Sequence, residues 1–356
     1  MKIGIFDPYL NTLSGGEKYM LTIATCLAQD NEVFIFWDIS KEDEIKKTAT
    51  RKLGLNLSRI KFTDNIFAKD VSTVSRLIES NKFDEIVYLS DGSIPMVGTK
   101  LYVHFQFPVE WVNGQDLKTK VKLSFVKKIF CNSKFTKKFI DNKLGVQSEI
   151  LYPPIELHVK DLKKENVILH VGRFDLSDSG VNYKKQDVMV EAFKKMVDKG
   201  LKDWKLRLVL GVMSGDEEKL AKFEKSAQDY PVEFIVNISN EELWQHYSKA
   251  KIYWHATGYG EDLEIHPEKA EHFGITTVEA MGSGEVPVVF NAGGQREIIE
   301  DKINGFLCDS INDFILRTTE LIQDKDLLNK MSKEAVKRSA AFSGDRFCSE
   351  VKNIIR

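Results

Sequence analysis

Cysteine is scarce in this chain: 4 in 356 residues, set far apart at Cys26, Cys131, Cys308 and Cys348. No C-x-x-C pair and no Cys/His cluster offers metal-ligand spacing, so reduced thiols in a cytoplasm are expected. No apolar run nears the roughly 20 residues that span a bilayer. The opening MKIGIFDPYL lacks the apolar core and cleavage site of a secretory leader and reads as a first strand. Charge of one sign is missing too. The formal net charge is −2, which argues against a dedicated nucleic-acid binder. The glycine loop after the first strand has neither the G-x-G-x-x-G of dinucleotide folds nor the Gly-Lys-Ser/Thr of a P-loop. No repeat of solenoid period occurs.

What is present is an ordinary globular composition, 42% apolar and 29% charged. The length exceeds what one core usually serves, so two domains are expected. Short apolar runs alternate with helical patterns. Strands are expected at Lys2–Phe6, Glu32–Trp37, Ile60–Phe62, Glu85–Leu89, Leu101–His104 and Lys128–Cys131, with a helix over Glu17–Ala28. Leu151-Tyr152-Pro153-Pro154 interrupts the pattern, and His158–Asn166 reads as a polar linker. The alternation restarts with strands at Val167–Val171, Leu206–Leu210, Val232–Val236, Ile252–His255 and Val286–Phe290, with a helix over Asp187–Lys195. Helices close the chain at Asn312–Gln323, Asp326–Arg338 and Arg346–Ile355. The fold class is therefore α/β, two Rossmann-like, doubly wound domains at about 1–157 and 166–340, plus a terminal helix over 341–356. Open α/β sheets bind ligands beyond the carboxyl ends of their strands, and two such sheets facing one another make a central cleft.

The most informative stretch is EHFGITTVEAMGSGEVPVVF, residues 271–290. Thr276-x-x-Glu279 fits a capping box, which accounts for Glu279 without any ligand. It does not account for Glu271, His272 or Gly274. A glycine just before a helix lets the backbone approach a ligand, and the helix end offers free N–H groups to phosphate or hydroxyls. Carboxylates repel phosphate but accept hydrogen bonds from hydroxyls. A nucleotide sugar supplies both partners.

Glu271-x7-Glu279, with Phe273-Gly274 and Glu279-Ala280-Met281, resembles the E-x7-E signature of the retaining GT-B glycosyltransferases of glycosyltransferase family 4. Gly284, Pro287-Val288-Val289, Gly293-Gly294, Glu297 and Asn304-Gly305-Phe306-Leu307 continue the likeness. Glu285 departs from it, since the family has a small residue or cysteine there; a turn is expected to tolerate it. The resemblance implies that Glu271 meets donor-sugar hydroxyls and Glu279 the ribose, with backbone amides around Phe273, Gly274, Ile275 and Thr276 meeting sugar and diphosphate.

Val171-Gly172-Arg173 ends a strand, and Lys184 or its neighbour Lys185 follows. An arginine and a lysine at a strand end suit a diphosphate leaving group, or else form a solvated basic loop. The family has Arg and Lys in this order, before a run matched by Gln186-Asp187 to Glu191-Ala192-Phe193. Ser14-Gly15-Gly16-Glu17 opens a helix and suits an anion, or is only a tight turn; the family places such a glycine pair beside the donor phosphates. His104 ends a strand and either faces the ligand or packs under aromatic neighbours. His104-Phe105-Gln106-Phe107-Pro108 resembles a segment of the lipid-linked-oligosaccharide mannosyltransferases, which implies an active-site role.

Lys118–Lys143 carries nine lysines opposed by Asp141, interleaved with Leu123, Phe125, Val126, Phe135 and Phe139. It reads either as a solvated basic face or as a docking surface for anionic lipid headgroups. Asp324-Lys325-Asp326 reads as a helix start rather than a metal site. Asp262–Glu271 reads as a mobile loop beside the donor.

The expected protein is thus a hexosyltransferase, moving mannose or glucose from a GDP- or UDP-linked donor to a glycan or lipid-linked acceptor. It needs no metal or other cofactor and binds no nucleic acid. It is expected in the cytoplasm, peripheral on the inner membrane face. The alternatives are a sugar-nucleotide epimerase of the same fold and a non-catalytic sugar-nucleotide-binding partner in glycan assembly.

Overall fold

The computed structural model describes residues 1–13, 15–109, 111, 113–174 and 182–355. The chain forms two compact units, one of residues 1–154 with 344–356 and one of residues 155–343.

The first unit is built on seven parallel strands: β1 Lys2–Phe6, β2 Glu32–Phe36, β3 Ile60–Thr63, β4 Glu85–Leu89, β5 Lys100–Phe105, β6 Val126–Cys131 and β7 Glu149–Ile150, ordered β3-β2-β1-β4-β5-β6-β7. The second has six: β8 Val167–Arg173, β9 Lys205–Gly211, β10 Val232–Val236, β11 Ile252–His255, β12 Val286–Phe290 and β13 Phe306–Cys308, ordered β10-β9-β8-β11-β12-β13. Every residue of β4, β11 and β12 is buried, as parallel strands covered on both faces must be; hence their continuous apolar runs. Element ends lie within about two residues of the sequence reading in most cases. Pro287 is tolerated inside β12 because β13 starts pairing only at Val288, one residue later. Gly305 makes room for it: a Cβ there would stand 2.6 Å from Pro287 Cγ.

The helix Gly344–Ile354 belongs to the first unit. Its Phe347, Val351 and Ile354 join the core that includes Tyr19, Ile23 and Leu27 of the helix Gly15–Leu27. Lys352 Nζ reaches Asp30 at 2.6 Å, and Arg346 donates to Tyr152 O at 2.8 Å. The expectation of reduced thiols fails here. Cys26 and Cys348 face each other across this helix pair and form a disulfide, with Cα atoms 5.1 Å apart. Cys131 and Cys308 are free and buried.

His158–Asn166 is not a free linker either. Lys160 N donates to Ser248 Oγ at 2.8 Å, and Glu165 N to Lys249 O at 2.7 Å. Lys164 Nζ reaches Ala250 O at 2.6 Å and Ser283 O at 2.7 Å. Those residues are the C-caps of the helices Asn240–Lys249 and Ile275–Gly282, so one ammonium satisfies two helix ends where negative dipole charge collects. Beside it lies Glu285, which directly follows the turn at residues 283–284 and is fully buried. Burial raises its carboxyl well above the usual range, although the Lys164 charge pulls the other way.

Candidate functional site

In the second sheet the chain runs from β8 outward to β9 and β10, then returns to β11 on the other side. The carboxyl ends of β8 and β11 therefore flank the topological switch point, where open α/β sheets hold ligands. Arg173 ends β8 and is exposed. Its carbonyl accepts from Gln186 Nε2 at 2.9 Å, which fixes the strand end. His255 ends β11 and is buried. Asp175–Val181, between Arg173 and Lys184, lie outside the described residues.

Glu271 gathers the charges here. Lys184 Nζ stands 2.8 Å from Oε2, and His255 Nε2 stands 3.1 Å from the same oxygen. Burial pushes this carboxyl up, but the Lys184 ammonium and the His255 contacts outweigh it and hold it well below the ordinary range. Glu271 is thus an anion with its lone pairs directed by two donors. Lys185 goes elsewhere. It sits in the left-handed region, φ 57°, at the start of the helix Gln186–Asp198. Its Nζ reaches Glu261 Oε1 at 2.6 Å, while Lys269 holds the other oxygen at 2.8 Å. The Asp262–Glu271 segment is thereby tied at its base. Behind the cluster, His170 and His272 are held neutral by burial, their pKa values down to about 3 and about 4.

Gly274 opens the helix Ile275–Gly282 at φ 117°, a backbone only glycine adopts readily. A Cβ there would also press on Gln295 and Ile298 at 3.0 Å. Gly293 and Gly294 let this turn close: Gly294 N donates to Glu271 O at 2.7 Å, and a Cβ on Gly294 would lie 2.4 Å from Phe273 Cα. The capping-box reading is corrected here. The N-cap is Gly274, so Thr276 is already inside the helix and Glu279 lies a turn further on. Thr276 Oγ1 accepts from Tyr253 at 2.7 Å, and Glu279 Oε2 accepts from Tyr247 at 2.9 Å. Phe273 is buried, so it offers a ligand only its backbone, while Ile275 and Thr276 are half-buried.

In the first unit Gly15 and Gly16 start the helix Gly15–Leu27, and Gln106 Nε2 donates to Gly16 O at 3.0 Å. Ser14 lies outside the described residues. His104 is corrected: it is fully buried, stacked between Tyr19 and Phe130 with ring centroids 4.5 Å from each. Its Nδ1 lies 3.0 Å from Phe130 O, and burial lowers its pKa to about 3. It is the packed histidine, with no exposed atom to offer a substrate. A pair the sequence reading missed lies at the end of β1. Asp7 is buried and its carboxyl is raised to about 7 by burial and then by Glu17.

The lysine-rich segment is a helix, a strand and a helix: Leu117–Leu123, β6 and Lys134–Leu144. Lys128 pairs with Glu149 and Lys137 with Asp141. Large apolar side chains close to these lysines in sequence are exposed, Trp111 at 70%, Leu117 at 75% and Phe125 at 58%. Asp324 caps the helix Lys325–Ser339 through Leu327 N at 2.9 Å. Among the described residues no group of three or more His, Cys, Asp or Glu side chains is arranged to hold a metal ion.

Two Rossmann-like units with a basic and carboxylate-bearing switch point define the class: a GT-B fold, shared with solved glycosyltransferases. Anabaena HepE, solved with UDP, aligns over 99% of both chains with a TM-score of 0.75 at 16% identity. The sucrose-phosphate synthase of Thermosynechococcus elongatus aligns over 99% of this chain and 98% of its own with a TM-score of 0.72 at 13% identity. The family described as glycosyl transferases group 1 matches residues 156–338, more than half of the chain, and the chain belongs to that family.

Curated relatives are similar at the sequence level. The GDP-Man:Man(3)GlcNAc(2)-PP-Dol alpha-1,2-mannosyltransferase of Xenopus laevis is 26% identical over 227 residues, 58% of this chain and 42% of its own. That of Dictyostelium discoideum is 26% identical over 320 residues, 84% of this chain and 56% of its own. The trehalose synthase of Pyrococcus furiosus is 31% identical over 178 residues, 48% of this chain and 39% of its own. The chain spans about half the length of the curated relatives it matches.

Proposed function

We propose that the protein is a retaining glycosyltransferase of family 4 that moves a hexose from a nucleotide-diphosphate sugar to a hydroxyl of a lipid-linked glycan. Mannose carried on GDP is the first donor to test, because the relatives aligned over most of this chain are named for GDP-mannose. The observation that carries the reading is the convergence of Lys184, His255 and Glu271 at the β8/β11 switch point, beside a helix that starts on Gly274. Glu271, ionised and oriented, suits sugar hydroxyls. The free amides at the start of the Ile275–Gly282 helix suit the diphosphate.

Lys184 has three donors, so it can keep Glu271 and still meet a phosphate oxygen. Arg173, exposed at the strand end, adds a fork of donors for the same charge. Together they stabilise the leaving group as the bond from the anomeric carbon to the phosphate oxygen breaks and its electron pair goes to the diphosphate. In the same-face attack that the family resemblance implies, the acceptor oxygen bonds to that carbon and its proton passes to the departing phosphate. No metal cofactor is required in this scheme, and chelation by EDTA should leave turnover unchanged. His104 has no part in it.

The protein also docks peripherally on an anionic membrane, at the cytoplasmic face, where a lipid-linked acceptor is within reach. The exposed Leu117 and Phe125, interleaved in sequence with the exposed Lys118, Lys120 and Lys127, support this as apolar anchors among cations, and Trp111 a few residues earlier is exposed as well. No described helix is long and apolar enough to cross a membrane.

The deciding experiment is calorimetry with UDP, GDP and ADP and their sugar-linked forms, on wild type and Glu271→Ala. Selective binding of one nucleotide, with the sugar's added affinity lost in the variant, supports the transferase. Free interconversion of sugar nucleotides without an acceptor would instead point to an epimerase, and absence of binding across the panel would remove the donor site.

A further inference from the structure

Beneath the helix Ile275–Gly282 lie two tyrosines that the scheme above does not use. Tyr247, on the helix Asn240–Lys249, is fully buried, its ring centroid 5.2 Å from that of Trp244. Its hydroxyl donates to Glu279 Oε2 at 2.9 Å. Tyr253, on β11, is equally buried and donates to Thr276 Oγ1 at 2.7 Å. Burial, with Glu279 adding to it, raises the Tyr247 phenol well above its ordinary range, so it stays protonated and stays a donor at any physiological pH. The helix bearing Tyr247 is anchored in turn: Lys164 ties its C-cap to that of the Ile275–Gly282 helix.

We propose that Tyr247 is the positioning residue for ribose recognition, fixing the Glu279 carboxylate so that it accepts hydrogen bonds from the vicinal hydroxyls of the donor nucleotide. The inference rests on the reading of Glu279 as the ribose contact. A carboxylate at mid-helix on two rotatable bonds samples several rotamers, and each costs binding if only one meets a diol. A buried phenol that cannot ionise removes that freedom at one oxygen and orients the lone pairs of the other. Tyr253 treats Thr276 differently. By giving its proton to the threonine oxygen it leaves the threonine hydroxyl hydrogen to be donated, which suits phosphate rather than ribose.

The test compares GDP and UDP with their 2′-deoxy and 3′-deoxy forms by calorimetry on the full chain. In wild type the loss of a ribose hydroxyl should weaken binding of the preferred nucleotide by about 10-fold or more, as for a hydrogen bond to a charged group. In Tyr247→Phe that discrimination should shrink to less than about 3-fold, although the phenyl ring keeps the packing. Tyr253→Phe, an equally buried loss of one hydroxyl, should retain the full discrimination while weakening all the nucleotides together. The ratio between ribose and deoxyribose forms is insensitive to any unfolded fraction, so a merely structural effect of Tyr247→Phe would leave it unchanged. Discrimination unchanged in Tyr247→Phe but abolished in Glu279→Gln would overturn this inference alone. Discrimination unchanged in both variants would overturn the ribose role of Glu279, and this inference with it.

Discussion

The Lys184 ammonium stands 2.8 Å from Glu271 Oε2, so a cation suited to phosphate and an anion suited to sugar hydroxyls hold each other in place. Loss of Lys184 leaves Glu271 Oε2 with His255 Nε2 alone, at 3.1 Å. Lys184→Met should lower turnover by about 10²–10³-fold, as expected for loss of a leaving-group stabiliser. It should also weaken GDP more than GMP. Steady-state kinetics and calorimetry with the two nucleotides check this, and an equal effect on both would deny Lys184 its contact with the terminal phosphate.

Membrane docking predicts salt-sensitive binding to vesicles containing anionic lipid, since the lysines are exposed and screened within about 10 Å at 0.1 M salt. Leu117→Asp with Phe125→Asp should reduce the bound fraction severalfold at fixed salt, because both side chains are more than half exposed and have no core to lose. Vesicle flotation reads this directly. Equal indifference to neutral and anionic vesicles would sink the docking surface.

Asp7 gives a pH signature. Its folded carboxyl titrates near 7 against an ordinary 3.8, so the native state holds the proton more tightly than the unfolded chain. That contribution to stability is full below about pH 4 and is lost as pH rises through 7. Asp7→Asn removes the dependence. The variant should gain up to about 4 kcal/mol over wild type between pH 4 and pH 8. Thermal melts across that range should show the two curves diverging upward; parallel curves would mean an ordinary carboxyl.

Lys164→Met should destabilise the chain by about 1–3 kcal/mol through orphaned helix-end carbonyls at Ala250 and Ser283. Urea unfolding would show it. Adding Glu285→Gln should recover part of the loss at pH 8, since it removes a buried carboxyl that no longer has a cation beside it. No recovery would mean that burial has not raised the Glu285 carboxyl above its ordinary range.

The parallel strands were legible because burial on both faces forces runs such as VPVVF in β12. The same double burial concealed His104. In β5 every residue after Lys100 is buried, so period-two alternation gave no sign of which way the ring points. The E-x7-E signature was legible because the chain must supply both carboxylates and the glycine in one short stretch. Its partners were not: His255 hides inside the apolar run IYWH, and Tyr247 and Tyr253 look like core aromatics until β11 and a neighbouring helix are docked against residues 271–282. Thr276-x-x-Glu279 misled because a local cap pattern competed with a left-handed glycine two residues earlier, and the glycine set the helix start. The disulfide joins residues 322 positions apart, beyond any local pattern.

The helix Gly344–Ile354, which completes the core of the first unit, is translated after the whole second unit. On the ribosome the first sheet must therefore wait, with the face of the helix Gly15–Leu27 uncovered, while residues 155–343 emerge and fold as an insertion. The first unit is completed only after the second has been made, so its half-built core stands open for as long as residues 155–343 are being synthesised.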